Sequence, residues 1–246
     1  MARPRKSYYW WIIGKALYFF VGLAIFVMTA FLVWRVFFSD NMPGEMEALQ
    51  PNDRLAAAYG EKGDALLLYT QEQSTHTRGE ENYGYFAVPR FIYLPEARQM
   101  QVIFRYNNST LEATEEKYGL AEPLPRGEEV FDVSIVFITD RTPGDTTDNK
   151  DGSEALKKER IKPTSHVVTT TALYTYFAYV FDNVDIKDDT LTAFFDVYYK
   201  GAVDYEDDAF GTLRLYHKDS EWVRVELTER DKKAIENDHA QRVGRK

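Results

Sequence analysis

The sequence predicts a mainly β protein: an antiparallel β-sandwich, immunoglobulin-like or similar, of about eight strands, preceded by one N-terminal transmembrane α-helix and accompanied by short peripheral helices. Three observations lead there. Residues 16–34 are nineteen in a row without a charge. From residue 65 onward, apolar residues recur with a period of two, the spacing of strands that bury one face. No helix of crossover length separates these stretches, so antiparallel pairing is favoured over a βαβ arrangement.

The apolar run comes first in the chain. At 1.5 Å per residue, nineteen helical residues cover roughly 28 Å, close to the hydrocarbon thickness of a bilayer. Thr29 is the only clearly polar residue in the run, so it has no stripe that a water-facing helix would need. Lys15 and Arg35 fence it, and Trp10, Trp11 and Trp34 stand where amphipathic rings meet headgroups. Lys15, Trp34 and Arg35 are therefore the expected membrane-anchoring and orienting residues, with the lipid bilayer as partner. Arg3, Arg5, Lys6 and Lys15 precede the run, whereas Asp40, Glu45 and Glu47 follow Arg35. The positive-inside bias then puts the N-terminus in the cytoplasm and the rest outside. The segment VWRVFFSDNMP lacks a small-residue cleavage pattern, which favours an uncleaved signal anchor over a signal peptide. The run holds no internal charge to mark an ion path, and Gly22, Ala24 and Ala30 form no small-xxx-small face.

The expected organisation is 1–15 as a basic, aromatic cytoplasmic start, 16–38 as the span, 39–60 as a stalk and short helix, 61–228 as the β domain and 229–246 as a C-terminal helix and tail. Residues 51–59 (PNDRLAAAY) favour a short helix ended by Gly60. Strands are expected at 65–71, 83–94, 100–107, 131–139, 167–181, 191–200, 211–217 and 221–227, all rich in Tyr, Phe, Val, Ile and Thr. Two longer connections, 108–129 and 140–164, are expected as loops, the second a mobile flap with a helical turn at 153–160. Thr228 followed by Asp231 resembles a capping box for a mostly solvated closing helix.

The only charges before Asp40 are basic, which leaves 25 of 30 basic and all 39 acidic residues to 40–246, a net of −14. Such a body repels phosphate backbones, so nucleic acid is excluded as a partner. Without cysteine there are no disulfides, thiolate ligands or cysteine nucleophile, a composition that leans toward a bacterial envelope. His76, His166, His217 and His239 are scattered with no ligand spacing, and no phosphate loop, GxSxG or SxxK occurs. No catalytic residue and no cofactor are assigned. Asp145, Asp148, Asn149 and Asp151 before Gly152, and Asp204, Glu206, Asp207 and Asp208, could form loop calcium sites, although the EF-hand register fails. Asn107 and Asn108 are overlapping glycosylation acceptors that read more simply as a polar turn after a strand.

Tyr174, Tyr176, Tyr179, Phe194 and Tyr198 are candidate binding aromatics, since alternation sends some rings out of the core of two strands taken as neighbours. Together these features lead us to expect a non-enzymatic binding module, single-pass in the plasma membrane, with a protein partner in the cell envelope. The alternatives are a carbohydrate-binding domain and an envelope hydrolase whose residues the linear sequence does not group.

Overall fold

A computed structural model describes residues 5–37, 42–71, 86–140, 157–202 and 209–243. The chain forms two compact units, Met1–Met42 and Pro43–Lys246. The first is one helix, α1 (Arg5–Phe37), whose stretch Trp10–Trp34 is long and apolar enough to cross a membrane. Its large apolar side chains, from Leu17 through Phe26 to Val33, are exposed all round, a state that suits lipid and not water. The hydroxyl of Thr29 donates to the carbonyl of Ile25 at 2.8 Å, so the one polar side chain of the run is satisfied by its own helix. Lys15 places its ammonium 3.9 Å from the Trp11 ring centre one turn earlier, Trp34 lies against Phe31, and Arg35 falls in the final turns.

The second unit contains two antiparallel sheets. After α2 (Gly44–Glu47), α3 (Asp53–Lys62) and a 3-10 turn at Gly63–Ala65 come β1 (Leu68–Gln71), β2 (Phe86–Leu94) and β3 (Gln99–Asn107). There follow α4 (Asn108–Tyr118), β4 (Phe131–Thr139), β5 (Lys157–Ile161), β6 (Ser165–Thr170) and β7 (Tyr174–Asp182). The chain closes with β8 (Thr190–Tyr199), β9 (Gly211–His217), β10 (Trp222–Val225) and α5 (Glu229–Val243). The six-stranded sheet runs β10-β1-β2-β3-β7-β6 and the four-stranded sheet β5-β4-β8-β9.

The expected alternation holds. Met100, Val102, Phe104 and Tyr106 of β3 and Phe177, Tyr179 and Phe181 of β7 enter one core together with Phe131, Val133, Ile135 and Phe137 of β4 and Phe195, Val197 and Tyr199 of β8. Phe104 is its hub: the rings of Phe86, Tyr106, Phe131, Phe177, Tyr179 and Phe195 all have centres 5.6 to 6.5 Å away. Aromatic pairs at such separations add to the burial of large apolar area. Pro89 is accommodated in β2 because the register slips between Ala87 and Arg90, a bulge that removes the need for its missing N–H. Gly211 lies so close to Phe86 that a Cβ there would meet the ring at 2.1 Å, so only glycine lets β9 approach β2.

The structure corrects four expectations. The run 167–181 is two strands: Thr171 turns the chain by donating its N–H to Tyr174 O at 2.8 Å and accepting the Tyr174 N–H on Oγ1 at 3.1 Å. The loop 108–129 opens with α4, whose Asn107–Thr110 capping box and left-handed C-cap Gly119 (φ 63°) close both ends. Leu111 enters the aromatic core and Tyr118 packs on Tyr199 at 4.9 Å, so α4 closes one end of the space between the sheets. The turn expected at 153–160 is, from Lys157, strand β5; residues 141–156 lie outside the described residues. The closing helix α5 is solvated along most of its described length, as expected, but its Ile235 is buried beside Leu49, Leu55, Ala58, Leu66, Leu68, Ile92 and Leu94, a second core on the outer face of the six-stranded sheet. Residues of the expected stalk and short helix thus belong to the body.

Candidate binding surfaces

The five aromatic candidates do not form one strip, because β7 and β8 fall in different sheets. Tyr179 is in the core between the sheets, and burial pushes its phenol far above the ordinary value. Tyr174 and Tyr176 lie on the outer face of the six-stranded sheet, Tyr176 buried and Tyr174 half-buried under the Arg105 guanidinium at 4.5 Å. Phe194 and Tyr198 lie on the outer face of the four-stranded sheet, on the far side of the molecule's larger core from Tyr174. There Tyr198 donates to Asp196 Oδ2 at 3.0 Å, Thr212 donates to Asp196 Oδ1 at 2.8 Å, and Arg160 stacks 5.2 Å from the Tyr198 ring. Burial first, and the Asp196 carboxylate second, push the Tyr198 phenol up to about 12.

The outer face of the six-stranded sheet is closed by a polar ladder as well as by the second core. Gln50 N–H donates to Gln101 Oε1 at 2.7 Å, and Gln101 Nε2 returns bonds to Gln50 O and Gln99 Oε1. Gln99 Nε2 donates to Asp182 Oδ1 at 2.9 Å, Thr164 Oγ1 to Asp182 Oδ2 at 2.8 Å, and Asn52, the N-cap of α3, donates to the same carboxylate. Burial by itself would raise the Asp182 carboxyl, but the donors from Gln99, Thr164 and Asn52 outweigh it and hold the group below the usual carboxylate range. At the other end, Asp231 is buried and accepts from Leu49 N at 2.7 Å and from both the N–H and the hydroxyl of Thr228. The expected capping box is therefore real, and its aspartate also clamps the start of the body to its end. Burial lowers the Arg90 guanidinium, which donates to Glu47 O, while Asp231 and Glu47 act in the opposite sense. These groups are mutually satisfied and leave little chemistry unspent.

An open cleft of about 550 Å³ lies among Asp64, Leu66, Arg224, Glu226, Leu227 and Lys232. Lys232 is engaged by Asp64 at 2.8 Å and Glu229 at 3.0 Å, which raise its ammonium above the ordinary value. Among the described residues no three of His, Cys, Asp or Glu gather to hold a metal ion. His166 meets Glu129 at 3.4 Å, and Glu129 meets Lys200 at 2.7 Å. Both calcium-loop candidates, 145–152 and 204–208, lie outside the described residues. Asn107, one of the two glycosylation acceptors, spends its side-chain oxygen on the Thr110 N–H as the α4 cap.

The sheet edges differ more sharply. β5 carries Lys157, Lys158, Glu159 and Arg160, charges that repel an added strand. β9 is tied across to β1 by Gln71, which accepts the His217 N–H and donates to the carbonyls of His217 and Ser220. β10 has only four residues, one of them Arg224. β6, sequence SHVVTT, has six residues with no Lys, Arg, Asp or Glu and no proline, and Val167 and Val168 are 44% and 43% exposed. Sequence reading missed this edge because residues 167–181 look like one continuous strand.

The architecture defines a class: one helix able to span a membrane, then a body of two antiparallel sheets that share an aromatic core. Comparison with protein-family models, curated proteins and solved structures finds no match for the chain.

Proposed function

We propose that the protein is a single-pass, non-enzymatic interaction module of a bacterial cell envelope. In this reading α1 is an uncleaved anchor in the plasma membrane, the basic N-terminus is cytoplasmic, and the body from Pro43 onward is a β-sandwich of immunoglobulin-like type displayed outside. It engages a protein partner there. The anchoring rests on the 25-residue apolar stretch Trp10–Trp34 and on the basic residues before it. The observation that carries the binding reading is the edge β6, which among the described residues pairs only with β7 on one side and carries no Lys, Arg, Asp or Glu, since an unprotected strand edge is a template for an added strand.

A carbohydrate ligand is the second reading, supported by half-buried Phe194 on the outer face of the four-stranded sheet, beside Asp196, Thr212 and Arg160, which stacks over the buried Tyr198. Protease added to intact cells whose outer layers have been opened tests the topology. The expected result is digestion of the body with survival of a membrane-bound N-terminal fragment. A body protected until the membrane is lysed, or a chain found soluble and shortened by about forty residues, overturns the anchor. Crosslinking in intact cells then tests the partner: capture of an envelope protein is expected. Retention on glycan with no protein captured favours the carbohydrate reading, and turnover of a cell-wall fragment favours a hydrolase.

A further inference from the structure

We propose that β6 pairs with β6 of a second copy of this chain, antiparallel and about a two-fold axis at Val168, so that two six-stranded sheets become one. The proposal deepens the interaction-module reading and rests on it.

The backbone decides the register. Thr171 donates its N–H to Tyr174 O at 2.8 Å, which makes 171 and 174 a hydrogen-bonded pair at the end of the β6–β7 hairpin. Hydrogen-bonded and non-hydrogen-bonded pairs alternate along an antiparallel ladder. With Thr169 opposite Tyr176, Val167 opposite Ala178 and Ser165 opposite Val180, those three residues aim their N–H and C=O groups at β7. His166, Val168 and Thr170 therefore aim theirs at the open edge. A second β6 that uses the same three residues has one symmetric antiparallel solution centred on this set. Val168 faces Val168, His166 faces Thr170, and Val167 faces Thr169, so the one titratable residue, His166, lies opposite a neutral threonine and no pair sets like charges opposite one another.

The flanks fit the same register. Glu129 sits at the His166 end of β6, 3.4 Å from the imidazole. Arg126 sits at the other end, donating to Thr171 O at 2.6 Å. An antiparallel dyad brings the Glu129 end of each copy beside the Arg126 end of the other, so that Glu129, which already meets Lys200 at 2.7 Å within its own chain, gains Arg126 of the second copy as a further basic neighbour. Such a contact is isologous and closes at two copies. Confinement to a membrane through α1 raises the effective concentration of an interface built from one strand.

Because the chain has no cysteine, single cysteines report the geometry without background. Val168→Cys in the full-length protein, in native membranes, is expected to form an intermolecular disulfide on mild oxidation. Opposed Cα atoms in a hydrogen-bonded pair lie roughly 5.5 Å apart, inside the range that a disulfide spans. His166→Cys alone should not link, since the two sulfurs would be separated by roughly 14 Å along the strand. A mixture of His166→Cys and Thr170→Cys chains should link to each other. Val223→Cys, exposed on β10, serves as the collision control and should link at least about ten times more slowly than Val168→Cys. Adding Val168→Pro to the mixed pair removes an N–H that β7 does not use, and should abolish the link while near-ultraviolet circular dichroism stays unchanged. Equal rates for Val168→Cys and Val223→Cys, a link in His166→Cys alone, or crosslinking of β6 only to a different protein would each overturn the proposal. The disulfide is scored whichever side of the membrane the body occupies, so failure of the topology and failure of the dimer are read separately.

Discussion

The two faces of the six-stranded sheet are covered by different means. Its inner face meets the four-stranded sheet chiefly through interlocked rings around Phe104, with Gln71 adding hydrogen bonds from β1 to β9. Its outer face is covered by the two ends of the body: α3 and α5 supply small aliphatic side chains, and Gln50, Asn52, Gln99, Gln101, Asp182 and Asp231 supply directed bonds. Ring packing is proportional to area and tolerates small shifts, whereas a buried carboxylate is stabilising only while each donor stays in place. The comparison teaches that one sheet can be held by bulk burial on one side and by a polar ladder on the other, and that the two should fail differently.

Three perturbations break or sharpen that contrast. The largest is Phe104→Ala, which removes the hub and should cost about 3–5 kcal/mol, seen as a lower urea midpoint by near-ultraviolet circular dichroism. Both faces should be lost in that single transition. Next, Asp231→Ala strands the Leu49 and Thr228 donors and should cost about 1–3 kcal/mol. Here hydrogen exchange should speed up at Leu49 and α5 while Val102 and Phe104 keep their protection. Equal loss on both faces would show that the outer layer is not a separate cooperative element. The smallest effect is acidic. The Asp182 carboxyl is held below its ordinary range, so its contribution is present at neutral pH and is lost as pH falls from about 4 through the lowered value. Asp182→Asn should flatten that part of the stability profile, and an unchanged slope would remove Asp182 from the ladder's electrostatics.

Much of the fold was legible one segment at a time. The strands expected at 131–139 and 211–217 match β4 and β9 residue for residue, and the face assignment along β3 and β7 holds because alternation is a local property of the pleat. The turn between β6 and β7 was illegible, since Thr171, Ala172, Leu173 and Tyr174 include none of the residues that usually mark a hairpin. Helix α4 was hidden because its core-facing residues are few and its cap reads equally well as a polar loop. The aromatic candidates separated because strands close in sequence entered different sheets. No periodicity announces such a switch.

What the sequence determined by itself is what depends on neighbours in the chain: an uncharged run long enough to cross a bilayer, the position and facing of most strands, the capping box at Thr228, and the acidity of the body. Only the tertiary structure decided that β1 pairs with β10 across some 150 residues, that the ends of the body meet through Leu49 and Asp231, and that β6 is an edge of the six-stranded sheet among the described residues. The physical reason is that a strand's pattern specifies which face it buries but carries no label for its partner. Pairing is settled when competing edges are satisfied together, and the edge left over is a property of the whole sheet.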